Sequence, residues 1–173
     1  MNTSGATDFS AHDIVAQLKH EDLTIATAES LTAGMLSSTL ADVPGASAVL
    51  QGGVVAYNNA IKHRLLGVSA DILAARGAVD AETAKQMADG ARQRLIADLG
   101  ISTTGVAGPE PSEGKAVGIV FIALSTREQI TARLLRFDGN REQIRRSTVA
   151  ASLRLVGEWL TQKNQGPAVA RSV

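Results

Sequence analysis

Ser30 and Lys62 are the residues whose types and settings fit a nucleophile and its base. Ser30 follows a short apolar run, Leu23 to Ala28, and precedes the small residues Leu31-Thr32-Ala33-Gly34. A serine between a buried strand and a helix presents its hydroxyl at the strand's end, and backbone N–H groups at the helix start can hold an oxyanion. Such a hydroxyl needs a base. Lys62 stands about one turn into a helix that follows the strand ending near Tyr57. An ordinary lysine, with a pKa of about 10.4, is protonated at neutral pH, but dehydration in a closed cleft lowers that value and makes it a competent base. Tyr57, the only tyrosine, is available to relay or donate a proton. The same residues also fit plain structural roles: Ser30 or Thr32 as a helix N-cap, Lys62 as a solvated helix lysine, Tyr57 as a ring packed on a sheet.

A third loop, Thr103 to Gly108, ends another apolar run. In α/β sheets, binding sites gather beyond the carboxyl ends of strands, so parallel strands would bring the loops at Glu29–Gly34, Tyr57–Lys62 and Thr103–Gly108 into one cleft. Arg141 and Arg145 share a face at one-turn spacing near the start of the last helix, which suits a phosphate or a solvated basic face equally. Other chemistries fare worse. His12, His20 and His63 have no metal-ligand spacing, and His63, as a helix neighbour of Lys62, should face elsewhere. There is no cysteine, which excludes thiol catalysis and thiolate metal sites. Gly108 to Lys115 imitates a phosphate loop, but five residues separate its glycines and Ala116 follows the lysine. Ser112 and Lys115 have β-lactamase spacing but lie in a Gly/Pro loop instead of at a helix start.

These residues need a scaffold, and 173 residues suffice for one domain of two or three layers. A content of 45% hydrophobic and 20% charged residues is too apolar for disorder, and seventeen basic against seventeen acidic residues gives no basic footprint for nucleic acid. No signal-peptide pattern and no span-length apolar run is present, so a cytoplasmic protein without membrane contact is expected.

Ser10-x-x-Asp13 opens a helix carrying Ile14, Val15 and Leu18. Strands are expected at Leu23–Ala28, Val49–Tyr57, Ile101–Thr104, Gly118–Ser125 and Ile130–Phe137, the last two as a hairpin. Helices are expected from Gly34 to Leu40, from Asn58 or Asn59 to Gly67, from Ala81 to about Leu99 after the Asp80 cap, and from Asn140 with Gln143 to near Leu160. The alternation predicts a single-domain α/β fold, a three-layer α/β/α sandwich with a mixed sheet, spanning 10–162 between a flexible N-terminus (1–9) and a disordered tail (163–173).

Taken together, the loops resemble the CinA C-terminal domain family. Ala28-Glu29-Ser30-Leu31-Thr32-Ala33-Gly34 is similar to its AES-x-T-x-G signature, Tyr57 to Lys62 to its Y-x-N-x-x-K element, and Gly105-Val106-Ala107-Gly108-Pro109 to its G-x-A-G-P loop. Gly77-Ala78-Val79 and Phe137 to Arg146 match two further stretches, so the likeness runs from about Ile14 to Leu160. Glu110 to Gly114 replaces a Gly-Gly-containing segment, and Ala33 stands where a second glycine is frequent.

The resemblance implies a nicotinamide mononucleotide amidohydrolase of stand-alone (PncC) type, serving NAD salvage without metal or cofactor. It implies catalysis by Ser30, Lys62 and Tyr57, and substrate contacts from Thr32, Gly34, Thr104, Gly105, Ala107, Gly108, Arg141 and Arg145, with Arg145 the stronger phosphate ligand of the two. It further suggests a homodimer or larger homo-oligomer. The rival expectations are a non-catalytic nucleotide-binding or competence-related interaction module and an amidase for another small nucleotide-like amide.

Overall fold

Local capping chemistry sets the helix starts. Ser10 and Asp13 cap each other's backbone N–H groups at α1 (Ala11–His20). Asn58 accepts the Ile61 N–H at 3.0 Å to open α3 (Asn59–Leu66), and Gly67, in the left-handed conformation, closes it. Asp80 caps α5 (Ala81–Arg94). Asn140 and Gln143 exchange side-chain and backbone bonds before α6 (Arg141–Gln165). The computed structural model describes residues 8–165. Its remaining α-helices and strands are β1 (Ile25–Glu29), α2 (Met35–Ala41), β2 (Leu50–Val55), α4 (Ala70–Arg76), β3 (Leu99–Gly105), β4 (Ile119–Ser125) and β5 (Ile130–Arg136), with a 3-10 turn at Ala46–Ala48.

The five strands form one sheet in the order β2-β1-β3-β4-β5. β1 is parallel to both β2 and β3, while β4 and β5 continue antiparallel. The period of two along β1 divides its side chains between two cores. Ile25 packs with residues of α1, α2 and α6 such as Leu18, Leu36 and Val156. Ala26 and Ala28 pack on the other side with Leu66, Met87 and Ala91 of α3 and α5. The mixed three-layer sandwich expected from the sequence is the observed fold. Among the described residues no helix is long and apolar enough to cross a membrane.

Several boundaries differ from expectation, and one helix was not expected. α5 stops at Arg94, because Ile96 turns left-handed (φ 52°) and points into solvent at 88% exposure. Thr24 and Asp98 then exchange hydrogen bonds across 2.8–3.0 Å, pinning the chain so that β3 begins at Leu99. α4 was not expected; it buries none of its side chains fully, and only Leu73 packs partly against the core shared by α3 and α5. α6 runs on to Gln165, with Lys163 paired to Glu21 at 2.6 Å, so residues 163–165 are helix and not tail. At the other end Phe9 packs into the core where a Cβ on Gly157 would collide with its ring, so residue 9 is not part of a flexible N-terminus. The rest of both expected tails, 1–7 and 166–173, lies outside the described residues.

Candidate active site

The parallel strands β1, β2 and β3 end side by side, and their ladders run one residue further. Ala56 N–H donates to Glu29 O at 2.8 Å, and Ser30 N–H donates to Thr103 O at 2.9 Å. Ser30 is thereby clamped between two strand ends. α3 turns back beneath it, and Lys62 lies one turn before buried Leu66 on the inward face. Lys62 Nζ sits 3.2 Å from Ser30 Oγ and donates to Ala56 O at 2.9 Å. Lys62 is 1% exposed. Burial strips water from the ammonium and lowers the pKa from an ordinary 10.5 to about 8, with the Glu113 charge partly opposing the shift. A neutral amine at this distance can accept the serine proton.

The loop after β1 takes its shape from Glu29, which is wholly buried. Its Oε2 accepts from Gly34 N–H (2.9 Å) and Leu36 N–H (3.0 Å), and its Oε1 accepts from Ser37 N–H (2.8 Å) and Ser37 Oγ (2.5 Å). A carboxylate at the positive end of α2 is favourable on its own account. It also occupies the N–H groups that the sequence suggested for an oxyanion. The Leu31 N–H, next after the serine, has no partner among the described residues and remains free for that role.

Around the pair lies a cavity of about 370 Å³, within the size range of small-molecule sites. Tyr57, Thr104, Gly105, Ala107, Gly108 and Arg141 line it, as does Leu31. The Arg141 guanidinium donates to Tyr57 Oη at 2.7 Å and to Gly108 O at 2.8 Å. Thr104 Oγ1 donates to Ala78 O at 2.7 Å. Among the described residues no three His, Cys, Asp or Glu side chains converge to hold a metal ion.

The model of the CinA C-terminal domain matches residues 7–160. The chain belongs to that family. Among its CinA relatives, a protein of Desulforamulus reducens named for competence-damage induction is 51% identical over 82% of this chain. A CinA-like protein of Frankia casuarinae is 44% identical over 90%. The chain spans about a third of these curated relatives, 34% and 36% of their lengths. The crystal structure of a competence/damage inducible protein from Agrobacterium tumefaciens superposes with a TM-score of 0.83 at 37% identity, covering 88% of this chain and 93% of that one. A CinA superfamily structure from Klebsiella pneumoniae gives 0.84 at 30% identity over 88% and 99%.

Within this CinA domain the structure does not bring every expected residue to the cavity. Thr32 is fully buried, and its hydroxyl shares a hydrogen with Thr103 Oγ1 at 2.7 Å. Gly34 lies past the bend, with its N–H on Glu29. Arg145 donates from Nε to Leu31 O (2.9 Å) and from Nη2 to Thr32 O (2.8 Å), and borders a separate groove with Gly34 and Arg146. It braces the loop after Ser30 from behind, and Arg141 is the arginine that lines the cavity. Tyr57 has Arg141 as its hydroxyl partner, and no hydrogen bond joins it to Ser30 or Lys62. His63 does face away, with Nδ1 2.8 Å from Val68 O. Sequence reasoning missed Glu29 and Glu113. The period of two along β1 carried a signal for the first; the irregular loop around the second carried none.

Proposed function

We propose that this chain hydrolyses the carboxamide of nicotinamide mononucleotide, with Ser30 as nucleophile and Lys62 as its base. The 3.2 Å approach of a water-stripped amine to a serine hydroxyl at the floor of a cavity carries the reading. Lys62 Nζ takes the Ser30 proton while Oγ attacks the carboxamide carbon, and the Leu31 N–H stabilises the oxyanion. The tetrahedral intermediate collapses, its nitrogen taking the proton from Lys62 and leaving as ammonia. Water attacks the resulting ester, its proton passing to Lys62 and then to the departing Ser30 oxygen, which releases nicotinate mononucleotide. Arg141 binds the 5′-phosphate, with Tyr57 and Gly108 O fixing the guanidinium, so remote binding positions the amide.

Ammonia release by the purified protein, wild type beside Ser30→Ala, tests this. The substitution is expected to abolish release without lowering the melting temperature, and equal turnover in the two proteins removes the nucleophile. The cavity with its anchored Arg141 also fits a second reading, a nucleotide-binding module without turnover. Calorimetric binding of nicotinamide mononucleotide with no ammonia released by the wild type would select it.

A further inference from the structure

The loop between β3 and β4 brings to the cavity a carboxylate that the amide chemistry does not use. Glu113 has φ 51°, a conformation unfavourable for a residue with a Cβ and kept only where its surroundings enforce it. Ser112 and Lys115 pair their backbones on either side of it, at 3.1 and 2.9 Å. Its Oε2 accepts from Ala78 N–H at 2.8 Å and Val79 N–H at 3.2 Å. Gly77 makes this docking possible, since a Cβ there would stand 2.3 Å from the same oxygen. The main chain is thus shaped to receive this carboxylate. Two fixed charges of opposite sign therefore line one cavity: Arg141 anchored on Tyr57 and Gly108, and Glu113 anchored on Ala78 and Val79.

We infer that Glu113 is a specificity-determining residue that recognises the positive charge of a pyridinium ring, so that the cavity selects a zwitterion with its phosphate at Arg141. The inference rests on the proposed substrate and deepens it. Nicotinamide mononucleotide is such a zwitterion, and its reduced form keeps the amide, ribose and phosphate but has a neutral ring. The hydrolysed product gains a carboxylate on the ring, which Glu113 repels, and this favours its departure.

The experiment is calorimetric titration of oxidised and reduced nicotinamide mononucleotide into Ser30→Ala protein, alone and combined with Glu113→Gln or Glu110→Gln. Glutamine retains an oxygen for the Ala78 and Val79 N–H groups, so the loop keeps its anchor. Glu110, the other cavity carboxylate of the loop, serves as the comparison. The Ser30→Ala protein is expected to prefer the oxidised ligand about fivefold, the upper range for a partly exposed charge pair. Glu113→Gln is expected to bring that ratio near one, and Glu110→Gln to leave it. A ratio unmoved by Glu113→Gln, or lost only with Glu110→Gln, overturns the assignment. Ammonia release by the wild type separates the two failures: turnover with an unmoved ratio refutes Glu113 alone, whereas neither turnover nor binding refutes the substrate and Glu113 together.

Discussion

The pH dependence of turnover follows from the burial of Lys62. With a pKa of about 8, about one molecule in eleven carries the neutral amine at pH 7, against about one in three thousand for an ordinary lysine. Burial thus enlarges the competent population about 300-fold at neutral pH. Because dehydration penalises the ammonium, the base gains as pH rises. The kcat/KM for ammonia release, which reports the free enzyme, should climb about tenfold per unit from pH 6.5, bend near 8 and level by about 9.5. The substrate's phosphate ionises near pH 6, just below this window. Glu113 is the charged group that opposes the shift, so Glu113→Gln should move the bend to lower pH. The assay is initial ammonia release at substrate well below KM, with circular dichroism confirming an intact fold at each pH. A bend at or above pH 10, or a flat profile from 6.5 to 9.5, would refute Lys62 as the base.

On the proposed reading Arg141→Ala removes the phosphate contact and should raise KM about tenfold or more with a smaller change in kcat; an unaltered KM counts against its phosphate role. Arg145→Ala should instead lower kcat and thermal stability, because it strips the Leu31 and Thr32 carbonyls of their donor at about 1 kcal/mol each. A pure KM effect there would return Arg145 to the substrate. Glu29→Ala should cost roughly 3 kcal/mol in urea unfolding, as it leaves the Gly34, Leu36 and Ser37 N–H groups unpaired inside the fold; a loss below about 1 kcal/mol would mean that α2 is held by other means.

Features written in local chemistry are legible in the sequence. The caps at Ser10, Asn58, Asp80 and Asn140 each act within three residues, and the three site loops stand where apolar runs give way to small or polar residues. What depends on the surface lying against an element was not legible. Arg141 and Arg145 sit one turn apart on α6, which from sequence puts them together. Only the packing separates them: the first turn of α6 lies open to Tyr57 and Gly108, and the next turn is covered by the loop at Leu31 and Thr32. Glu113 was hidden for the same reason. Its anchors, Ala78 and Val79, lie more than thirty residues upstream.

The expensive feature of this fold is the buried amine, and the sheet explains why it is tolerated. A folded-state pKa below the unfolded value means that the native chain binds fewer protons, so Lys62 contributes a penalty that is full below about pH 8 and vanishes above about 10.5. At neutral pH that penalty is roughly 3 kcal/mol, a large share of a small domain's stability. Parallel register keeps Ser30 beside Ala56 at the ends of β1 and β2, so the amine finds one carbonyl and one hydroxyl without any displacement of the strands. A fully paired ammonium would be less costly to bury and useless as a base. Two neutral acceptors and a carboxylate that bonds elsewhere leave Lys62 close enough to neutrality to take a proton, and the stability given up is the same free energy that makes it reactive.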